Sequence, residues 1–405
     1  MANQFQSIQA GLGILKNYYQ GPIVSQFNDD VKLWRGSQKG SHPWSGLQVV
    51  RPLKARRNQG IGATSDGGPL PAIGKQTVVQ ATIPATFNYL RFGITGPMIK
   101  ASQSDLGSFV RSASYELMEG YQDLKSDMNR QLGWDGTGTL AQIGVAAVAS
   151  TSLSLIGREA GDVALRFVDI DQVLDLYNGT TLVQAGIQVV AITSGTASSP
   201  TAVITVNVPV TASVGYTLVR SQSGGNELDG ILYQLDGQTT TKFAVNRALY
   251  PQTQGNYFDF AQGQLSLDKM QQAYNEGLRR GAGKYSVIWT DFNTIRMYNK
   301  LLVVDKRYVN TTEGDGSFTD VDVKYMEFGG VPMMPDKDFP TRLAFIPEES
   351  IVKYILCELE FADETGSMMI AQIGTDALEA RIRFFANLFN EKPAASSLAV
   401  NYISP

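Results

Sequence analysis

Residues 105–132 carry the longest periodic pattern in the chain, and this pattern restricts the fold more than any other feature. Apolar side chains recur there at spacings of three and four, which predicts one amphipathic helix. They are Leu106, Val110, Ala113, Leu117, Tyr121, Leu124, Met128 and Leu132. The helix would be about 42 Å long, whereas a compact chain of 405 residues is roughly 55 Å across. It would therefore cross most of the molecule, either as an ordinary amphipathic core helix or as a scaffold spine.

The segment before this helix, residues 46–92, predicts a very long β-hairpin. Its limbs are GLQVVRPLKARR and QTVVQATIPATFNYLRF, and a tip rich in Gly and Pro joins them. Alternation in the second limb predicts one apolar face. That face would hold Val79, Ala81, Ile83, Ala85, Phe87 and Tyr89. A two-stranded ribbon about 40 Å long is unstable alone, so we expect it to lie on its own body or on a neighbouring subunit.

Residues 176–219 contain no charged side chain and are rich in Val, Ile and Thr. This composition predicts short antiparallel strands with tight turns, in a small β subdomain inserted at 162–225. The absence of charged side chains is consistent with a contact surface. It is also consistent with strands that remain soluble because Ser and Thr cover their exposed face. The nearby Asp169, Asp171 and Asp175 lack the spacing of a calcium loop, so no metal site is predicted.

The last third alternates helix and strand, the pattern of a larger α/β body that carries the β subdomain. LSLDKMQQAYNEGLRR predicts a helix capped by Ser266, and KYSVIWT predicts a buried strand. DFNTIRMYNKLL predicts a helix with Asp291 as its N-cap. The C-terminal ALEARIRFFANLFNEKPAASSLAVNYI predicts long strands with a bend at Pro393.

The rarest residues exclude most enzyme classes. The chain has one histidine, His42, and one cysteine, Cys357. Neither a Ser-His-Asp triad nor a zinc site is expected from these, and an intramolecular disulfide is impossible. His42 is predicted in a loop beside Trp44, and Cys357 as a buried thiol in a strand. No phosphate-binding loop motif is present. We expect no enzymatic activity and no cofactor.

Charge is distributed unevenly along the chain. Residues 1–60 sum to +6, and the remaining residues to −10, within a total of −4. This favours contact between copies, in which the basic arm lies on an acidic neighbour; a solvated basic tail is the alternative. The aromatic residues of the arm, which include Trp34 and Trp44, favour docking. The net charge argues against tight nucleic-acid binding, and no membrane-spanning segment is predicted.

The order of these parts resembles the major capsid protein of tailed bacteriophages, the Hong Kong 97-type shell fold shared with encapsulins. The resemblance runs over about residues 30–403. The hairpin and the spine helix ending in MNRQLGWDGTGTLAQIG carry its first part. Two stretches resemble the axial domain, LDKMQQAYNEGLRRGAGKYSVIWTDFNTIRMYNKLL and FGGVPMMPDKDFPTRLAFI. The stretch FFANLFNEKPAASSLAVNYI resembles the closing strands of the peripheral domain. The resemblance implies an α+β fold with six parts in chain order. The first three are an N-terminal arm (1–45), an extended hairpin loop or E-loop (46–95), and the spine helix with the first part of the peripheral domain (96–161). The last three are the inserted β subdomain (162–225), the axial domain with part of the peripheral domain (226–375), and the closing peripheral strands (376–405).

The resemblance implies assembly into hexamers and pentamers of an icosahedral head around double-stranded DNA. The protein would be made in the host cytoplasm and reside in the virion. Portal and scaffolding proteins, with the scaffold as a separate chain, and a decoration protein are implied partners, and DNA contact would be loose. Expected intersubunit contacts are Arg35, Lys39, Arg51, Lys54, Arg56, Arg57, Lys75, Phe87 and Tyr89. Some relatives are cross-linked by a Lys–Asn isopeptide bond, for which Lys54 or Lys75 with Asn387 or Asn390 are candidates, and Glu391 is a nominal catalytic carboxylate.

Three other interpretations compete with the capsid hypothesis. An encapsulin-like nanocompartment shell would have the same fold, although the β insertion and the extended arm weaken that interpretation. A carboxylate-dependent α/β enzyme would need a paired Asp/Glu cleft, and the sequence has no convincing pair. An adhesin or tail-fibre domain is suggested by the Thr-rich strands, but the long spine helix argues against it.

Overall fold

The computed structural model describes residues 32–97, 106–159, 162–195, 199–281, 283–306, 326–362, 369–371 and 374–404. The chain forms two compact units, one of residues 135–228 and one of the remainder. Residues 1–31, which hold most of the predicted arm, lie outside the described residues. The helices are α1 (Lys32–Gly36), α2 (Leu106–Gly133), α3 (Ile231–Leu235), α4 (Leu267–Arg279) and α5 (Phe292–Lys306), with 3-10 turns at Pro251–Thr253 and Pro393–Ala395.

The described chain contains both helices and strands, and this mixture confirms the α+β class. Strands occupy more of it than helices do. In chain order they are β1 (Gln38–Lys39), β2 (Gln48–Arg56), β3 (Thr77–Pro84), β4 (Thr86–Thr95), β5 (Thr139–Ile143), β6 (Ala147–Ile156), β7 (Val173–Asn178), β8 (Thr181–Ser194), β9 (Thr201–Ala212), β10 (Thr217–Arg220), β11 (Thr241–Lys242), β12 (Val245–Asn246), β13 (Asn256–Gln264), β14 (Tyr285–Thr290), β15 (Glu327–Phe328), β16 (Val331–Pro335), β17 (Leu343–Pro347), β18 (Ile351–Phe361), β19 (Met369–Ala371), β20 (Ala377–Asn390) and β21 (Ser397–Ile403).

The predicted helix is confirmed: α2 differs from the predicted range by one residue at each end. Its predicted inner face is buried wherever side chains are described, at Leu117, Tyr121, Leu124, Met128 and Leu132. From Leu117 to Leu132 the apolar spacing is therefore a packing face. None of the described helices is both long enough and apolar enough to cross a membrane.

The pairing at the base of the predicted hairpin is confirmed, but the predicted extent of its second limb is wrong. β2 pairs with β3 from Gln48 opposite Pro84 to Arg56 opposite Thr77. After Ala85 the chain leaves this ribbon, and β4 pairs along its full length with β20 instead. The change of sheet also changes the face, because Ile83 and Ala85 are buried whereas the predicted inward residues Phe87 and Tyr89 are exposed.

Two larger sheets lie in the same unit as the β2–β3 and β11–β12 ribbons. The first has the order β1-β18-β20-β19, with β4 also paired to β20, and the second has the order β13-β21-β17-β14-β16-β15. Both predicted helix caps are confirmed. Lys269 N donates to Ser266 Oγ at 3.3 Å, and Thr294 N donates to Asp291 Oδ1 at 2.9 Å. Cys357 lies in β18 as predicted, but it is half-buried because the outer face of this sheet is open.

The smaller unit is a closed barrel of six strands, in the order β10-β5-β6-β9-β8-β7. It begins at residue 135 rather than the predicted 162, since β5 and β6 complete the ring. The charged segment between β6 and β7 connects two strands of the barrel, and the barrel unit does not begin there. Asp175, considered above as a calcium ligand, is buried, and its carboxylate accepts from Gly186 N at 3.0 Å and Gln222 N at 2.8 Å. It joins β8 to the turn that follows β10.

Candidate intersubunit surface

The base of the β2–β3 hairpin is anchored to the body of its own chain. Val49, Ala81 and Ile83 are buried in one cluster with residues of the body: Val245, Val352, Tyr354 and Phe389. Thr82 N also donates to Phe243 O at 2.8 Å, which ties β3 to the β11–β12 turn. The ribbon therefore gains the support that a hairpin of this length needs.

The support under the hairpin contains a buried cation. The Lys242 side chain is 5% exposed, its Nζ lies 3.5 Å from Asp236 Oδ2, and it sits 4.1 Å from the centroid of the Tyr233 ring. Burial lowers the pKa of Lys242 to about 8, although the Asp236 charge partly offsets this. A cavity of about 30 Å³ adjoins Lys242 and Phe243. It has room for water but not for a metabolite.

Arg51, predicted as an intersubunit contact, is engaged within its own chain. Its Nη2 lies 2.9 Å from Glu391 Oε2, and its Nη1 bonds the His42 ring in the loop after β1. Tyr354 Oη donates to the other Glu391 oxygen at 3.4 Å. Arg51 therefore fastens the hairpin to the end of β20, which differs from its predicted role.

The tip of the hairpin, residues 57–76, has no strand pairing and projects apolar side chains into solvent. Ile61, Leu70 and Ile73 are each more than 80% exposed. At the neck of the tip the backbones of Gly60 and Gly74 nearly touch, and a Cβ on Gly60 would meet Gly74 N at 2.7 Å. Glycine is needed there to close the tip.

The basic residues predicted as contacts lie mostly on the surface. Arg35, Lys54, Arg57 and Lys75 are exposed. Lys39 and Arg56 are also exposed. Lys39 pairs with Glu358 at 3.2 Å, and Arg56 lies over the Tyr250 ring at 5.6 Å. Such surface pairs contribute little to folding, so these cations are open to an acidic neighbour.

Phe87 and Tyr89 are brought together on the outer face of the first sheet. They are 42% and 56% exposed, and both rings pack edge-on against Phe385 of β20, at 5.0 and 5.4 Å. Beside them Arg91 makes a bidentate pair with Glu379, at 3.0 and 2.7 Å. This face combines exposed rings with paired charges, a composition typical of protein interfaces.

The cross-link candidates are not brought together. Lys54 and Lys75 are exposed on the hairpin, whereas Asn387 and Asn390 are buried in β20. Asn387 Nδ2 donates to Pro84 O and Asp229 Oδ2, at 2.9 and 2.7 Å. Asn390 Nδ2 donates to Ser396 Oγ at 2.9 Å. Because both amides are bonded inside the chain, a lysine of a neighbour would have to displace this network to reach them.

Sequence reasoning missed the most exposed part of this surface, the three aliphatic residues of the tip. The available signal was the set of single aliphatic residues placed among Gly and Pro in GIGATSDGGPLPAIG, where a solvated loop needs none. Within the described ranges, no group of three or more His, Cys, Asp or Glu residues is arranged to hold a metal ion.

Comparison with solved structures identifies the fold. The cyanophage A-1(L) capsid asymmetric unit is similar over 91% of this chain and 90% of that chain, with a TM-score of 0.53 and 12% sequence identity. The chain has a phage capsid fold. No protein-family model matches the sequence, and no curated protein matches it.

Two further structures are similar at lower scores. The procapsid of satellite phage P4 covers 95% of this chain and 91% of that chain, with a TM-score of 0.43 and 12% identity. An encapsulin complex from Synechococcus elongatus covers 36% of this chain and 53% of that chain, with a TM-score of 0.27 and 12% identity. Neither adds to the assignment of the capsid fold.

Proposed function

We propose that this chain is the major capsid protein of a tailed phage, and that copies of it assemble through the hairpin into the head shell. One observation carries the proposal: the hairpin has a base anchored in its own body and a tip whose aliphatic side chains contact solvent. A monomer gains nothing from such a tip. A neighbouring copy that covered Ile61, Leu70 and Ile73 would gain roughly 1.5–3 kcal/mol for each buried side chain.

The proposed contact is heterologous, with the tip of one copy lying on a different surface of the next. Contacts of this kind close into rings, which for a shell are hexamers and pentamers. The outer sheet face with Phe87, Tyr89 and Arg91 is the surface that we assign to the neighbour. The exposed cations Lys54, Arg57 and Lys75 flank the tip, and would pair with acidic groups there.

In this proposal the chain parts take the roles of a Hong Kong 97-type subunit. The β2–β3 hairpin is the extended loop, α2 is the spine of the peripheral domain, and the sheet with α4 and α5 belongs to the axial domain. The shell encloses double-stranded DNA with loose contact, because the chain has a net charge of −4. Portal, scaffolding and decoration proteins are proposed partners, and the mature protein is located in the virion.

The tip provides the test of this function. A variant with Ile61→Ser, Leu70→Ser and Ile73→Ser changes only exposed side chains, so we expect its thermal unfolding to match that of the unmodified chain. Its yield of rings or shells, measured by light scattering and negative-stain microscopy, should fall sharply. Deletion of residues 58–75 should act in the same way.

A matched control is Leu249→Ser, which removes an exposed aliphatic side chain outside the hairpin. We expect this control to assemble normally. Shells formed at normal yield by the triple variant or by the deletion would contradict the role of the hairpin. The particle diameter separates a phage head from a small encapsulin-like compartment.

A further inference from the structure

The strands of the barrel alternate in direction around the ring, so their turns fall at two ends. One end, called the neutral end here, consists of the turns 144–146, 179–180 and 213–216. The first and third of these turns are joined, since Gly215 N donates to Ile143 O at 2.9 Å. They therefore belong to one surface.

The second turn joins the same surface, because Asn178 Nδ2 donates to Tyr216 Oη at 3.4 Å. Aliphatic side chains of this end are exposed to solvent, and Val148 is 82% exposed. The exposed set is Val145, Val148, Leu182, Val183 and Val214. The turns that carry Val145 and Val214 are joined by a backbone hydrogen bond, and Leu182 is paired with Tyr177, so covering this end costs little conformational entropy.

No charge interrupts the neutral end. Residues 139–157 and 176–219, which contain its turns and the adjoining parts of the strands, have no charged side chain. Asp175 is buried in β7, and the other charged residues of the barrel unit lie toward its opposite end. They include Asp135, Arg158, Asp162, Asp169, Asp171, Arg220 and Glu227. The opposite end also exposes Ile170 and Val173, but next to Asp169 and Asp171.

We propose that the neutral end binds the neutral end of a second copy of this chain, as a two-fold contact between shell subunits. The inference rests on the proposed function and names a partner for the inserted barrel. Two copies that each carry −4 can meet here without charge repulsion, because the surface itself is uncharged. A two-fold contact uses the same surface on both copies, as in the commonest class of protein dimer.

The size of the neutral end favours a second copy over a soluble partner. A stable interface between free proteins takes about 20–30 residues a side, and the neutral end offers five exposed aliphatic residues. Such a contact is weak alone. It becomes effective between subunits that other contacts already hold close together, because the effective concentration is then high.

The first test is disulfide trapping in assembled particles of the full chain. In a Cys357→Ser background, Val214→Cys places one cysteine at the neutral end, and Thr201→Cys places one exposed cysteine at the opposite end as a control. After mild oxidation, denaturing electrophoresis without reductant should give a dimer band for Val214→Cys and only monomer for the control. Equal dimer yields, or none for either variant, would overturn the inference.

The second test introduces charge at the same surface. Val148→Lys should lower the guanidinium midpoint of particle dissociation, whereas Thr201→Lys should leave it unchanged. Both side chains are exposed, so neither variant is expected to alter folding. Particles of Val148→Lys with the midpoint of the unmodified chain would contradict the contact while leaving the proposed function intact. If the unmodified chain forms no particles, the proposed function fails, and this inference fails with it.

Discussion

Arg51 of the hairpin and Glu391 at the end of β20 form an ion pair of 2.9 Å, with both side chains about one quarter exposed. They are far apart in the sequence, and β2 is held to the body through this pair. Arg51 Nε is buried without a hydrogen-bond partner, so the guanidinium already depends on its other nitrogens. Removing the carboxylate of this pair is therefore expected to loosen the hairpin.

We expect Glu391→Ala to loosen the base of the hairpin. The variant leaves the Arg51 charge without its carboxylate, at a cost of about 1–2 kcal/mol in the free energy of unfolding. Amide hydrogen exchange along β2 should accelerate, while exchange in the barrel should not change. Glu358→Ala is the matched control, since its pair with Lys39 is exposed and should cost less than about 0.5 kcal/mol. Unchanged exchange along β2 in Glu391→Ala would show that the pair does not hold the hairpin.

Lys242→Met should stabilise the protein at neutral pH. Burial lowers the pKa of Lys242 from 10.5 to about 8, so folding at pH 7 buries a charge that the unfolded chain exposes. Removing that charge should gain about 1–3 kcal/mol. Between pH 8 and 10.5 the unfolded chain binds more protons at this residue, and the stability of the unmodified chain therefore rises relative to the variant.

Thermal unfolding at pH 7 and at pH 9.5 measures this difference. The advantage of Lys242→Met should shrink at the higher pH, and Lys54→Met, which changes an exposed lysine, should show no advantage at either. A destabilised Lys242→Met at pH 7 would mean that the contacts with Tyr233 and Asp236 outweigh the cost of burying the charge.

Trp34→Ala should cost about 3–5 kcal/mol in the free energy of unfolding. The Trp34 ring is 1% exposed and packs edge-on against Phe384 at 5.2 Å, and Lys353 Nζ lies 4.9 Å from its centroid. Urea unfolding of this variant and of Trp34→Phe, which retains an aromatic ring, measures the loss. A loss below about 1 kcal/mol would contradict docking of the arm at α1.

The sequence predicted the elements whose signals are local. The spine helix repeats its apolar spacing along 28 residues, and the caps Ser266 and Asp291 act within three residues of their partners. The boundary at Ala85 was missed because the alternation of apolar residues continues across it, although the strand changes its partner. Pro84 was the available signal, since proline lacks the N–H that continued pairing would use.

The candidate site was less predictable, because its geometry depends on contacts between distant residues. Charge type alone grouped Arg51 with Lys54 and Arg57, yet Glu391 draws Arg51 inward and leaves the other two exposed. Asn387 and Asn390 are polar residues in an apolar strand, and only the folded chain shows the partners that satisfy them. The aliphatic residues of the tip lie among turn residues, a composition that predicted flexibility rather than contact.

The central claim is that this chain assembles into a shell, and static light scattering with negative-stain microscopy on the purified full chain tests it most directly. Samples taken across a range of protein concentrations, with and without a crowding agent, should contain rings, sheets, tubes or closed shells. Their mass should be many multiples of 44.1 kDa. A chain that stays at the mass of one copy under every condition would contradict the proposed function.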